Sequence, residues 1–304
     1  MDLLSSLLRS AWSLLPLLAV AGLSAGCTDE PSDAPRAAAT DGAAFDGNVG
    51  IQLYSFRNEL AQDVPGTLAQ VRAMGLTDVE VFSFNDRPAA EYKRLLDEHG
   101  LNPVSLMVDY NRLRDSLDAV ARDAAVLGVK YVVTAWIPHE GAFSRADAER
   151  AAADFNAWGE RLSADGFQFG YHLHGYEFHP AGADSTLFDV LVAATDPQHV
   201  VYEMDVFWTV HPGQDPVALL QRYPDRFRLM HVKDMQHGTP TGVLTGSAPD
   251  STNVPLGTGM IDYVTLLREA ERIGNIDYYF IEDEHEHAME QVPVSLEYLR
   301  TLQL

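Results

Sequence analysis

Eight short apolar runs alternate with eight helix-length amphipathic segments, and this alternation predicts a (β/α)8 TIM barrel. Two further observations agree. Gly75, Gly100, Gly128, Gly166 and Gly274 stand where helices should stop. Polar pairs also sit at the C-terminal ends of four successive strands, the end at which a barrel carries its chemistry. A doubly wound sheet shows the same alternation, but normally has a Gly-rich phosphate loop after its first strand. Here "LYSFRNEL" follows instead.

The chain of 304 residues opens on "MDLLSSLLRSAWSLLPLLAVAGLSAGC". Arg9 precedes an apolar stretch, residues 11–23, that is too short for a comfortable membrane span, and small residues follow it. The closing "LSAGC" is similar to a bacterial lipobox. Cys27 is the chain's single cysteine, so it has no partner for an internal disulfide and reads as a lipid attachment site. Residues 1–27 are expected to be a lipoprotein signal peptide; a plain secretory signal and a buried apolar helix are the alternatives. Thr28 follows the cysteine, which by resemblance to Gram-negative lipoproteins implies the periplasmic face of the outer membrane, with the lipid as the only membrane contact. Residues 28–48, rich in Ala, Asp and Pro and without an apolar period, are expected to be a flexible tether. Residues 49–304 are expected to form the barrel.

The expected strands are "GIQLYSF" (50–56), "DVEVF" (78–82), "PVSLMV" (103–108), "YVVTAWI" (131–137), "QFGYHLH" (168–174), "VVYEMDV" (200–206), "RLMHVKD" (228–234) and "YYFIEDE" (278–284). Helices are expected near 64–74, 89–99, 114–127, 145–165, 185–194, 216–223, 262–273 and 293–302. Residues 236–258 carry neither period. They follow the seventh strand on the functional face and read as either a lid or a mobile surface loop.

The net charge is −23, with three lysines beside eighteen arginines. So acidic a surface repels phosphate backbones and argues against nucleic acid as a partner.

Side chains two apart on a strand share a face. Strand five offers His172 and His174, strand six Glu203 and Asp205, strand seven His231 and Lys233, strand eight Glu282 and Glu284. A single polar residue at a strand end usually only satisfies a neighbour. Four adjacent strands doing so point to one site. Two imidazoles with two or three carboxylates suit Mn²⁺, Zn²⁺, Fe²⁺ or Co²⁺ better than Ca²⁺.

"GIQLYSFR", "GLTDVEVF", "FGYHLHGYEF", "EMDVFW", "RLMHVKDM" and "IEDE", in this order and spacing, resemble the xylose-isomerase-like TIM-barrel family of sugar phosphate isomerases and epimerases. Its members include ketose 3-epimerases, hydroxypyruvate isomerase, inosose dehydratase and endonuclease IV. Many hold one divalent ion (Mn, Zn, Co, Fe or Mg) with Glu, Asp, His and Glu from strands five to eight. The resemblance carries these ligands onto His172, Asp205, His231 and Glu282, with His172 standing where the family has Glu. The family's second glutamate moves protons, which makes Glu282 the first candidate base and His174 the second. Lys233 is then a candidate for steadying an oxyanion, or else the partner of Glu203 or Glu282. Glu80 and Glu177 are candidates for binding substrate, and Glu177 for an additional ligand. Trp136 and Trp208 are candidates for stacking on a sugar ring. The implied activity is isomerization or epimerization of a sugar or keto-sugar through an enediolate. A lyase acting on a keto-sugar or inosose, and a lipid-anchored barrel that binds sugar without turnover, are the alternatives.

Overall fold

A computed structural model describes residues 42–304. The expected signal peptide, Cys27 and most of the expected tether lie outside the described residues. Among the described residues no helix is long and apolar enough to cross a membrane.

Eight parallel strands close into a barrel: β1 (Val49–Gln52), β2 (Asp78–Val81), β3 (Asn102–Met107), β4 (Tyr131–Thr134), β5 (Gln168–His172), β6 (Val200–Asp205), β7 (Phe227–Val232) and β8 (Tyr278–Ile281). Each pairs with its sequence neighbours, and β8 closes the ring on β1. The main helix after each strand lies on the outside: α1 (Val64–Ala73), α2 (Ala89–Glu98), α3 (Tyr110–Leu127), α4 (Arg145–Ser163), α5 (Leu187–Ala194), α6 (Pro216–Arg222), α7 (Tyr263–Ile273) and α8 (Ala288–Thr301). Capping boxes open α4 (Ser144 with Asp147) and α5 (Thr186 with Asp189). Gly128 and Gly274 end α3 and α7 at φ 75° and 74°, a left-handed turn that glycine makes without strain.

The structure moves several of the expected boundaries, and three of the shifts have a local cause. β1 stops at Gln52, because the Gln52 side chain accepts the Tyr54 N–H and starts a 3₁₀ turn, Leu53–Phe56. α3 begins at Tyr110 rather than 114: Asp109 caps it and Ser116 kinks it, which breaks the apolar period. α8 begins at Ala288, so Pro293 lies inside the helix and not at its start. The end of the expected tether is also packed rather than free. Ala44 pairs with Gln303, and the buried Phe45 ring meets Tyr279 edge-on at 5.1 Å.

Two layers fill the lumen. The lower is apolar: Val104, Tyr131, Val133, Val201, Leu229 and Phe280 pack on one another. Gly50 makes room for it, since a Cβ there would stand 2.8 Å from the Phe280 ring. Two residues beyond Val201, Leu229 and Phe280 the same inward face becomes Glu203, His231 and, just past the end of β8, Glu282. Strand register aligns Phe280 with His231, His231 with Asp205, and Glu203 with His172. The apolar plug thus sets a floor on which a polar layer stands.

Candidate metal and substrate site

His172, Asp205, His231 and Glu282 converge there. Each offers one ligand atom, and the four atoms lie within 4.8 Å of one another. The strands place His172, Asp205 and His231. Glu282 lies one residue beyond β8, and His174 two beyond β5, because the ladders end sooner than the alternation of side chains suggests.

Hydrogen bonds orient the donors. His172 Nδ1 lies 2.9 Å from Glu203 Oε2, and its Nε2 is 3.7 Å from Asp205 Oδ2. His231 Nδ1 is 3.0 Å from Glu282 Oε2, and its Nε2 is 2.7 Å from Glu80 Oε2 and 3.2 Å from Glu203 Oε2. Asp205 Oδ1 accepts the Trp208 N–H at 2.8 Å, capping the short helix Val206–Val210. Asp205 Oδ2 is buried and has no hydrogen-bond partner.

Burial dominates the electrostatics. It pushes Glu203 up to about 8, with Glu80 adding to the rise, and Asp205 up to about 7 against the pull of Lys233. At Glu282 burial acts the same way but is outweighed by Lys233 and His231, which hold its carboxyl well below the usual range. Burial lowers His231, yet Glu203 and Glu282 raise it well above an ordinary histidine. Burial and His231 together keep His172 well below one. Such crowding of buried carboxylates and an orphaned Asp205 oxygen fit a divalent cation, which would take up that oxygen and offset the charge. Two imidazoles and two carboxylates are a suitable donor set for Zn²⁺, Mn²⁺, Fe²⁺ or Co²⁺.

Above the donors opens a pocket of about 340 Å³, lined by Tyr54, Met107, Ala135, His172, His174, Trp208, Gly246, Ser247, Ala248, Asp250, Glu282 and Glu284. His174 stacks on Trp208, with centroids 4.8 Å apart, and meets the edge of Trp136 at 5.2 Å. Burial pushes its imidazole down to about 4, helped by the Lys233 charge, so the ring is neutral at pH 7. Trp136 is 42% exposed at the rim, held by a stack on His139.

Two expected substrate contacts lie elsewhere. Glu80 is fully buried beneath His231, where Gln52 Nε2 donates to it at 2.7 Å and Ser105 Oγ at 2.5 Å. Glu177 is fully buried in the turn after β5 and accepts the His174 N–H at 2.8 Å, so it shapes that turn and is not one of the converging donors. Burial pushes it up to about 8. Lys233 is buried between Glu284, its closest partner, and Glu282 Oε2 at 3.4 Å, with its ammonium near the Trp208 and Phe207 rings. Residues 236–258 form part of the wall. Asp234 and Met235 pair with Val254 and Asn253 in a short hairpin, and the Asp234 carboxylate gathers the N–H groups of Met235, Gly257, Gly259 and Ile261.

The sequence reading missed Gln52 and Ser105. Both are polar residues near the C-terminal ends of otherwise apolar strands, the same signal that found the other pairs. It also missed Arg57, which donates to Asp250 Oδ2 and to the Glu284 carbonyl, each at 2.9 Å, and so ties three loops at the pocket mouth.

The family model for the xylose isomerase-like TIM barrel matches residues 68–302. Inosose dehydratase of Lacticaseibacillus casei is 30% identical over 159 residues, 50% of this chain and 51% of that protein. The chain thus spans about half the length of that relative. Inosose dehydratase of Geobacillus kaustophilus (strain HTA426) is 25% identical over 285 residues, 79% of this chain and 88% of the other. Among solved structures, a sugar phosphate isomerase/epimerase from Parabacteroides distasonis ATCC 8503 superposes with a TM-score of 0.68 at 26% identity, covering 86% of this chain and 99% of that one. The IOLI protein with a bound zinc atom superposes with a TM-score of 0.65 at 15% identity, covering 82% and 95%, which is a likeness of fold.

Proposed function

This chain belongs to the xylose isomerase-like TIM barrel family, and from that premise we propose that it is a divalent-metal-dependent carbon–oxygen lyase removing water from a keto-sugar or ketone-bearing cyclitol. The observation that carries the reading is the convergence of His172, Asp205, His231 and Glu282 on the floor of a pocket that also holds a neutral His174. When bound, the ion would polarise the substrate carbonyl and acidify the neighbouring C–H.

His172, Asp205, His231 and Glu282 would hold the ion. Glu282 is committed to the donor set and to His231 and Lys233. His174 lines the same pocket, is not one of the four donors and is unprotonated at pH 7, so it is the group left to take the C–H proton. As that bond breaks, its electron pair forms the carbon–carbon double bond and expels the β-hydroxyl. The His174 imidazolium formed in that step is the acid at hand to give the leaving hydroxyl the proton that makes it water, while Lys233 keeps its own proton, held by Glu282 and Glu284 behind the pocket wall. Trp208 and Trp136 bracket His174 and exclude solvent from its ring.

The inosose dehydratases of Lacticaseibacillus casei and Geobacillus kaustophilus support a lyase. So does His172, since the two-glutamate arrangement that lets 3-epimerases move protons on both faces is incomplete. The zinc carried by the IOLI structure supports a metal at the site. The second reading is sugar isomerization or epimerization, supported by the Parabacteroides structure's name. Product mass decides between them after metal-loaded protein is incubated with inosose and a panel of ketohexoses and 3-keto-sugars. A product one water lighter supports the lyase, and an isomer of unchanged mass replaces it with the second reading. No product from the panel rejects both.

A further inference from the structure

We propose that this pocket takes uncharged sugars and rejects their phosphate esters; the proposal deepens the reading above and rests on it for the site being a sugar pocket. Barrels of this fold frequently bind phosphate with the loops after the seventh and eighth strands. In this chain those loops put Asp250 and Glu284 on the pocket wall. The lining residues include three carboxylates, Asp250, Glu282 and Glu284, and no lysine or arginine.

Among the described residues Lys233 and Arg57 approach the pocket, and both are engaged. Lys233 is buried against Glu282 and Glu284. Arg57 gives Nη2 to Asp250 Oδ2 and to the Glu284 carbonyl, and Nη1 to the Tyr54 carbonyl at 3.3 Å. A guanidinium grips phosphate through a free fork of N–H groups, and three of Arg57's five are spent on the protein, both of those on Nη2 among them. An ionised carboxylate only accepts hydrogen bonds, and so does a phosphate dianion, whereas a sugar hydroxyl can donate to the carboxylate. Tyr54, Met107, Ala135, Ala248 and Trp208, also in the lining, offer apolar surface to the C–H face of a ring. The lining therefore matches a donor-rich neutral polyol and mismatches an anion, and the chain's net charge of −23 adds to the mismatch.

Titration calorimetry on the metal-loaded protein tests this with two matched pairs: myo-inositol against myo-inositol 1-phosphate, and D-fructose against D-fructose 6-phosphate. The neutral member of at least one pair should bind, and its phosphate ester should bind at least about 30-fold more weakly at low salt, the scale of like-charge exclusion. Raising the salt should narrow that gap. Asp250→Asn should also narrow it, by at least about fivefold, because it removes one carboxylate and frees Arg57 for phosphate. Equal or tighter binding of the ester by the wild type overturns the proposal, and so does binding of neither member of either pair. A protein that shows this selectivity yet forms no product from inosose or any ketose sinks the lyase reading and leaves this one standing; myo-inositol, which has no carbonyl, tests binding alone.

Discussion

His172 turns its Nδ1 toward Glu203, 2.9 Å from Oε2, and so keeps its Nε2 for the space shared with Asp205. The same Glu203 oxygen lies 3.2 Å from His231 Nε2, so one buried carboxylate fixes the rings of two prospective ligands. Carboxylates that orient ligand histidines typically contribute 10–100-fold in metal affinity. Glu203→Gln should therefore weaken zinc binding by roughly 10-fold or more, measured by competition with a chromophoric chelator, while circular dichroism stays unchanged. Unaltered affinity in a folded variant would mean that Glu203 does not position these rings.

The barrel was legible because its two periods, apolar strand and amphipathic helix, recur eight times and each depends only on near neighbours. The four polar pairs were legible because two-residue spacing on a strand fixes a shared face; which member of each pair joins the donors came from the family resemblance, not from spacing. The ends of strands were not, because where a ladder stops depends on hydrogen bonds to other strands. β5 ends at His172 and β8 at Ile281, yet His174 and Glu284 still line the pocket from the turns beyond. Depth was also hidden. Glu80 is on the second strand at the expected height, but Gln52, Ser105 and His231 hold it under the floor, and only the closed ring brings those residues together. Lys233 illustrates the same limit. Its expected alternative as the partner of Glu282 was visible from spacing, whereas its closer partner Glu284 depends on the path of the turn after β8.

Loading the site should stabilise the fold, because the four donors converge only in the native state. Free metal at 100 times its dissociation constant adds about 2.7 kcal/mol. For a domain of this size that raises Tm by roughly 5–10 °C. A melt with added Zn²⁺ or Mn²⁺, against one after chelation, reads this directly. Asp205→Asn should abolish most of the difference. Identical melts with and without metal would contradict a native metal site.

At the opposite end of the barrel, Asp277 receives hydrogen bonds from Lys130 Nζ at 2.8 Å, Arg228 Nη2 at 2.8 Å and the Tyr131 hydroxyl. Burial raises its carboxyl, but these three donors outweigh it and hold the group below its ordinary value. The folded state therefore releases this proton more readily than the unfolded chain. Its contribution is fully present above the unfolded value near 3.9 and is lost as the pH falls through the lower folded value. Asp277→Asn should cost roughly 1.5–3 kcal/mol at pH 7, with the loss shrinking below about pH 4. Urea titrations of both proteins at pH 7 and pH 3.5 check the sign; a difference that grows with acidification would refute it.

Gly246 carries the loop after β7 across the site at φ 65°. A Cβ there would stand 2.8 Å from Tyr176 Cδ1, 3.0 Å from the His174 carbonyl oxygen and 3.1 Å from His174 Nδ1. Gly246→Ala therefore combines left-handed backbone strain with a clash on the turn that carries His174. It should cost more than the about 1–2 kcal/mol of strain alone and weaken ligand binding, while Gly238→Ala, at φ 86° with nothing near its Cβ, should cost only that strain. Thermal melts and sugar titrations on the two variants separate these effects. Equal behaviour would mean that the loop does not bear on the site.

His174 tests the chemistry. Its ring stands on the pocket wall between Trp208 and Trp136, is neutral at pH 7, and is not one of the four converging donors. Glu282 is one of them, and its carboxylate is further committed to His231 and Lys233. If His174 removes the proton next to the carbonyl, His174→Ala should keep the metal and lower turnover by about 10²–10⁴-fold. It should also stop wash-in of solvent deuterium at that carbon. His174→Gln keeps much of the stacking on Trp208 without a comparably basic nitrogen, so it should lose turnover nearly as far; recovery in this variant would reveal a packing role instead. Glu282→Gln should show the complementary pattern, with weaker metal binding and a rate that recovers at saturating metal. A His174→Ala protein that exchanges deuterium at the wild-type rate, beside a Glu282→Gln protein that does not exchange even when loaded, would return the base to Glu282.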